Sequence, residues 1–334
     1  MKKLFKILKW TGIVVLLLLI GLFVFVQTSW NKKYEAPYPE IKASTDSSVI
    51  ARGKYLAFGP AHCGTCHVPM DKIEAVEKGD INQPLSGGWT LDIAPGSFTA
   101  PNLTSHPELG IGKLTDGEIA RTLRYMVGSD GRCIFPFMPF ADMSDEDLTA
   151  VISFLRSQPA VDHEVKHTEL TFLGKALMAF GVITPMGTKG TPPKSVPIDT
   201  TIEYGKYLAN SIGNCVGCHT KRDFVTGAFV GEPFAGGTYF EPDPFSYGMS
   251  FITPNLTPDP TTGHIASWSQ EVFLARFKSG KVYKGTPMPW GSFSRMNETD
   301  VKAIYKYLMS LQPVPNKIDK VAFLAGEKVP KSAM

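Results

Sequence analysis

Cys63-Gly64-Thr65-Cys66-His67 and Cys215-Val216-Gly217-Cys218-His219 are two copies of one pattern, 152 positions apart in a chain of 334 residues. Cys-x-x-Cys-His is the attachment signature of c-type haem, and its spacing has a mechanical reason. Two cysteines three positions apart on one helical turn reach the two vinyl groups of a porphyrin as thioethers, and the adjoining histidine turns its ring toward the iron. The expectation is two covalently bound haem c groups, held by Cys63 and Cys66 and by Cys215 and Cys218, with His67 and His219 as proximal iron ligands. A thioredoxin-like redox pair would need a βαβ context that neither copy shows. A zinc site could use both cysteine pairs but leaves the histidine after each pair unexplained.

Outward from the motifs, the flanking sequence repeats as well. Gly53-Lys54-Tyr55-Leu56-Ala57 returns as Gly205-Lys206-Tyr207-Leu208-Ala209, and Pro101-Asn102-Leu103-Thr104 as Pro254-Asn255-Leu256-Thr257. Met138-Pro139 returns as Met288-Pro289, and each copy closes on an acidic segment opened by Met143-Ser144 or Met296-Asn297. A repeat of this length marks a duplicated domain. The periodicity predicts helices over about 48–58 and 201–210, near 116–127 and 268–278, and last helices ending before Pro159 and Pro313. Thr115 with Glu118 and Ser267 with Gln270 read as capping boxes, Gly128 and Gly280 as stops, and Ser144 and Asn297 as caps of the last helices. The Gly- and Pro-rich stretches between motif and Asn-Leu-Thr read as loops. The apolar connector segment at 170–180 is too short to span a membrane, and packing between the two copies is the preferred reading over the membrane surface.

Each copy offers two methionines as sixth ligand. Met138 and Met288 precede a proline in a loop, whereas Met143 and Met296 stand just before helix caps, where an apolar residue packs as a staple. Met138 and Met288 are therefore the expected axial ligands. His62, His106, His163, His167 and His264 have no counterpart in the other copy and read as local hydrogen-bonding or surface residues, with His62 and His264 the two that could lie near a haem. His/Met ligation fills both axial positions, which suits one-electron transfer rather than catalysis. Cys133 reads as a buried structural thiol. The two Asn-Leu-Thr sequons read as incidental to glycosylation, with Asn102 and Asn255 serving a local turn or donating to haem propionates.

The net charge of +3 is a property of one end. Residues 1–33 hold six lysines and no acid; the remainder has 28 basic and 31 acidic side chains. The slightly acidic body excludes a nucleic-acid binder and favours neutral or basic docking partners. Residues 10–30 carry no charge and end on Trp10 and Trp30, long enough for the roughly 20 residues that cross a hydrocarbon core. Four lysines before the run and two after it place the N-terminus in the cytoplasm and the body outside. A run longer than a signal-peptide h-region, with no small-residue cleavage site after it, reads as an uncleaved anchor.

These motifs together resemble the membrane-bound multihaem cytochrome c subunits of periplasmic alcohol, aldehyde and gluconate dehydrogenases, over about residues 48–313. The repeat and the haem chemistry lead to an all-α expectation, two tandem class I-like cytochrome c domains, and the uncharged run adds one N-terminal transmembrane helix before them. The boundaries are 1–33 for the anchor (helix about 10–30), 48–160 and 201–313 for the haem domains, 161–200 for the connector and 314–334 for a tail. The resemblance implies electrons taken from a periplasmic dehydrogenase or another redox protein and passed to quinone or a terminal oxidase at the inner membrane. This chain departs from such subunits in having two motifs where three are frequent, and an N-terminal anchor where a C-terminal amphipathic segment is expected. The alternatives are the dihaem subunit of a terminal oxidase, whose domains lack the long Gly/Pro loops, and a dihaem peroxidase-type enzyme. The latter needs an open iron that two matched Met-Pro loops do not suggest.

Overall fold

The structure is a computed structural model and describes residues 1–138, 140–223 and 227–330. Helix α1 (Lys2–Ser29) starts before the uncharged run, because the lysines, leucines and isoleucine ahead of Trp10 include strong helix formers and no breaker. Its 28 residues rise about 42 Å; the helix is apolar and long enough to cross a membrane, and its apolar window is not buried.

The first copy then runs through α2 (Ser47–Phe58), the attachment turn, a short helix α3 (Ile73–Glu77), a hairpin of β1 (Thr90–Ile93) and β2 (Gly96–Thr99), α4 (Asp116–Tyr125) and α5 (Asp145–Ser157). The connector supplies β3 (Glu169–Leu170) and α6 (Phe172–Ala179). The second copy repeats the plan: α7 (Ile202–Tyr207), α8 (Cys215–Cys218), β4 (Tyr239–Phe240), β5 (Ser250–Ile252), α9 (Gln270–Lys278), a short α10 (Trp290–Phe293), α11 (Glu298–Met309) and β6 (Ala322–Phe323). Here the entering helix α7 widens into a π-helical turn at Leu208–Ile212.

Helices carry the core and no sheet closes, but the chain is not purely helical. Each Gly/Pro-rich loop folds into an antiparallel hairpin that gains a third strand from beyond the last helix, in the orders β1-β2-β3 and β4-β5-β6. Short β-prone stretches such as Ser250-Phe251-Ile252 make these hairpins, a preference that helix-period reading passes over.

Most helix boundaries follow the local signals. Thr115 and Glu118 form the full capping box at α4, and Ser144 accepts from Asp147 N at the head of α5. Asn297 holds the cap position of α11 without a side-chain cap bond. Two expectations need correction. The cap of α9 is Ser269, accepting from Val272 N, two residues past Ser267. The stop of α4 is Met126 in the left-handed region (φ 54°), ahead of Gly128, whereas Gly280 (φ 70°) does follow α9 as expected.

In each copy the first and last helices cross backbone to backbone. A Cβ on Gly53 would run into the Ala150 carbonyl and come within 2.8 Å of Phe154 Cβ. A Cβ on Gly205 would run into the Ala303 carbonyl and come within 2.9 Å of Tyr307 Cβ. Glycine is required at both crossings because only a bare Cα admits the partner's backbone.

The two copies share one continuous hydrophobic core, in which Leu56, Phe58, Leu148 and Ile152 meet Tyr204, Leu208, Ile304 and Leu308. Their polar contacts are reciprocal. Tyr207 OH donates to Asp147 Oδ2 (2.8 Å) and accepts from Ser144 N (3.0 Å), at the head of the first copy's α5. Tyr55 OH donates to Asp300 and accepts from Asn297 N (3.0 Å), at the head of the second copy's α11. The position three residues earlier serves its own copy: Arg52 pairs with Asp147 (2.8 Å) and Tyr204 donates to Asp300 (2.9 Å). Burial, reinforced by the facing carboxylate, pushes the Tyr55 and Tyr207 phenols up, so both remain protonated donors.

The apolar segment of the connector, 170–180, does not pack between the copies, although Val196 further along packs against the shared core. Helix α6 lies against the C-terminal end of α1, with Phe172 stacked on Phe23 (5.9 Å between ring centroids) and Phe180 tilted against Phe25 (5.2 Å). Its other supports are the β1–β2 turn, where Thr171 Oγ1 donates to Ala94 O (2.8 Å) and a Cβ on Gly174 would strike the Pro95 carbonyl. The apolar flank of α1 supplies aromatic partners for Phe172 and Phe180.

Candidate haem c sites

Each attachment turn is a single tight turn entered through a left-handed residue, His62 (φ 43°) before Cys63–Thr65 and Asn214 (φ 48°) before α8. His67 N bonds Cys63 O and His219 N bonds Cys215 O, both at 2.9 Å, so each histidine is carried one turn past the first cysteine. Both rings are buried and held by the same partner. His67 Nδ1 lies 3.0 Å from Pro101 O, and His219 Nδ1 lies 3.1 Å from Pro254 O. A carbonyl can only accept, so Nδ1 carries the proton and Nε2 keeps its lone pair for a ligand. Burial pushes both imidazoles down, His219 to about 4, so both rings are neutral at pH 7.

The prolines are themselves fixed by the loop that precedes them. Gly87 N donates to His67 O (2.9 Å) and Gly236 N to His219 O (2.7 Å). Both glycines adopt positive φ, and a Cβ on either would sit 2.6 Å from the carbonyl oxygen of Pro101 or Pro254. Loop, proline and histidine thus form one closed clamp in each copy. Sequence reasoning did not find the clamp, although the matched Gly87-Gly88 and Gly236-Gly237 pairs and the prolines opening the Asn-Leu-Thr blocks carried its signal.

Burial pushes Cys63, Cys66 and Cys215 to about 12 and raises Cys218. Neutral thiols suit thioether attachment better than thiolate ligation of a bare metal. Among the described residues no group of His, Cys, Asp or Glu gathers as a set of metal ligands. The residues present therefore fit haem c in each copy: a cysteine pair, a neutral histidine with a free Nε2, and a methionine on the loop beyond.

Met138 and Met288 are half-buried at the margin of the shared core; Pro139 lies outside the described residues. Met143 and Met296 are each only 1% exposed, as staples should be, and their carbonyls accept from Arg124 (2.7 Å) and Lys278 (2.6 Å). In the second copy Arg276 lies 3.6 Å from the Trp290 ring centroid, bracing the Met288-Pro289-Trp290 loop.

Asn102 and Asn255 are buried and hold turns. Each side-chain oxygen accepts from the threonine two residues on, and each amide nitrogen donates to the chain after the last helix: Asn102 to Val161 O (3.0 Å) and His163 O (3.2 Å), Asn255 to Val314 O (2.8 Å) and Asn316 O (3.3 Å). With the amide protons so used, the turn reading stands and donation to propionates is corrected. The unmatched histidines mostly do work that other residue types do in the opposite copy. His163 reaches Ser86 O (3.0 Å) where Asn316 reaches Ala235 O (2.8 Å), and His106 accepts backbone N–H groups where Asp259 does. His62 places its ring 5.7 Å from Phe293, His264 packs on Trp268, and His167 is exposed. Cys133 is buried as expected, and burial raises its thiol to about 11.

The second copy also touches the first copy's attachment turn. Ser292 Oγ lies 3.4 Å from Thr65 Oγ1, and Arg295 donates to Phe58 O (2.9 Å) and Val76 O (2.8 Å). The chain just after Met288 therefore reaches the turn that carries Cys63 and Cys66.

No protein-family model matches the chain. It is 28% identical over 288 residues to the cytochrome c subunit of the quinone alcohol dehydrogenase of Gluconacetobacter polyoxogenes, covering 81% of this chain and 57% of that protein. It is 26% identical over 319 residues to the fructose dehydrogenase cytochrome subunit of Gluconobacter japonicus, covering 92% and 60%. A diheme cytochrome c-type protein of Cereibacter sphaeroides is 27% identical over 283 residues, covering 81% and 88%. The chain thus spans under two thirds of the length of the two dehydrogenase subunits. Its homologues are cytochrome c subunits of dehydrogenases and a dihaem cytochrome c, at modest identity over most of the chain.

Proposed function

We propose that this chain is a membrane-anchored dihaem cytochrome c that relays single electrons from a periplasmic dehydrogenase toward quinone or a terminal oxidase. The observation that carries this reading is the duplicated clamp, in which each motif histidine is neutral and locked through Nδ1 to a proline carbonyl. Residues 48–160 and 201–313 are taken as the two haem domains, 161–200 as the connector and 314–334 as the tail. Cys63, Cys66, Cys215 and Cys218 would form the thioethers, and His67 with Met138, and His219 with Met288, the axial pairs. When bound, haem c supplies a one-electron couple at each site.

The residues then define the task. Gly87, Pro101 and their counterparts fix ring orientation, and burial of His67 and His219 keeps both rings out of bulk water. The contact between Ser292 and Thr65 supports two sites close enough to act as a relay. Helix α1, with four lysines ahead of it, supports anchoring in the inner membrane with the body in the periplasm. The names of the relatives support a dehydrogenase partner.

Two measurements test the reading. A pyridine haemochrome assay on the purified full chain is expected to give two haems c, and one in the double variant Cys215→Ser with Cys218→Ser. A wild-type value of one or none overturns it. Separately, Met288→Ala is expected to abolish the near-infrared sulfur-to-iron band of one haem and lower its potential. A surviving band moves the ligand role to Met296 or another group.

A further inference from the structure

We propose that α6 and the residues following it form a foot that lies in the outer lipid leaflet beside α1, holding the body at a fixed height and tilt over the membrane. The inference rests on α1 spanning the membrane, as proposed above, and deepens that reading by assigning a second lipid contact. Residues 170–187 contain a single charge, Lys175. The segment leaves large apolar side chains open: Phe172 is 46% exposed, Leu173 48% and Phe180 58%, with Val182 and Met186 similarly open.

The depth of this face follows from its partner. Trp30 marks the outer interface, and Phe23 lies seven residues before it, about 10 Å deeper at the helical rise. Phe172 stacks on Phe23 and Phe180 packs against Phe25, so both ends of α6 are held below the level of Trp30. A surface at that depth beside a spanning helix is covered by acyl chains. The one charge is placed to escape them. Lys175 Nζ lies 3.2 Å from Gln27 Oε1 and 5.4 Å from the Trp30 ring centroid, so the ammonium snorkels to the interface while its stem stays among apolar groups.

The foot is also tied to the body. Beyond the Thr171 and Gly174 contacts with the β1–β2 turn, Lys33 Nζ donates to Asp130 O (2.7 Å) and Tyr34 N to Gly131 O (2.8 Å), joining the end of α1 to the first copy. Two lipid-borne helices fixed to one domain leave it little freedom to swing.

The test uses the full haem-loaded chain in phosphatidylethanolamine–phosphatidylglycerol vesicles carrying a lipid with a photoactivatable diazirine on its acyl chain. After illumination, adducts are mapped by mass spectrometry. The expected result is labelling of α1 and of the 172–186 stretch alike, with that stretch severalfold less labelled in the variant Leu173→Glu with Val182→Glu. Labelling of α1 alone overturns the foot and leaves the anchor standing. Labelling of neither overturns the anchor, and the foot with it. Unchanged labelling in the glutamate variant overturns the assignment of this face to lipid.

Discussion

Replacing Gly205 with alanine is expected to destabilise the protein by about 3 kcal/mol or more, the opposite of what the same change does in an ordinary helix. At an open helical position alanine gains about 1 kcal/mol over glycine. At this crossing the added methyl meets the Ala303 carbonyl and the Tyr307 side chain, both on a helix that cannot retreat without opening the shared core. Gly53→Ala should behave alike against Ala150 and Phe154. Thermal unfolding of the haem-loaded chain in detergent measures the effect, a fall of roughly 6–10 °C in Tm. Gly190→Ala, where a methyl meets nothing within 4 Å, is the control. A Gly205 variant that melts with the control would mean that the helices do not cross at this point.

The second large effect is expected at Asp300. This carboxylate has no solvent exposure and accepts from two phenols, Tyr55 of the first copy and Tyr204 of the second. Asp300→Ala strands both hydroxyls in the core, and each buried unpaired donor costs about 1–3 kcal/mol, so a loss of about 4 kcal/mol is expected. Tyr55→Phe removes a single hydroxyl, frees Asn297 N and should cost about 1–2 kcal/mol. Calorimetric unfolding separates the two outcomes. Equal losses in the two variants would show that Tyr204 does not depend on Asp300.

The Cys-x-x-Cys-His turns were legible because the chemistry they suggest is local. A porphyrin bound through two thioethers forces cysteines and histidine into one turn, and a turn is visible in five residues. The methionine alternatives differ on the same ground: Met143 and Met296 adjoin helix caps and are buried. Features held by distant parts of the chain were not legible. Asn102 could be read as a turn residue, but its donors go to Val161 and His163, some 60 positions away. Ser267 and Ser269 are equally good local caps, and nothing local decides between them. The hairpin strands are too short for an alternating pattern to stand out, and each third strand comes from outside the copy's helical part. The apolar segment at 170–180 was misplaced because its apolar character states that it must be covered without stating by what.

The crossed tyrosines carry a last consequence. Each half lends a phenol to the other half's helix cap, so the contact is self-complementary, the mark of a two-fold homodimer. Here one polypeptide holds both partners. A free homodimer dissociates on dilution and is confined to identical subunits; the fused pair does neither. The tether keeps the stoichiometry at one to one at any concentration. It also lets the two sites diverge in sequence while the surface that joins them stays matched.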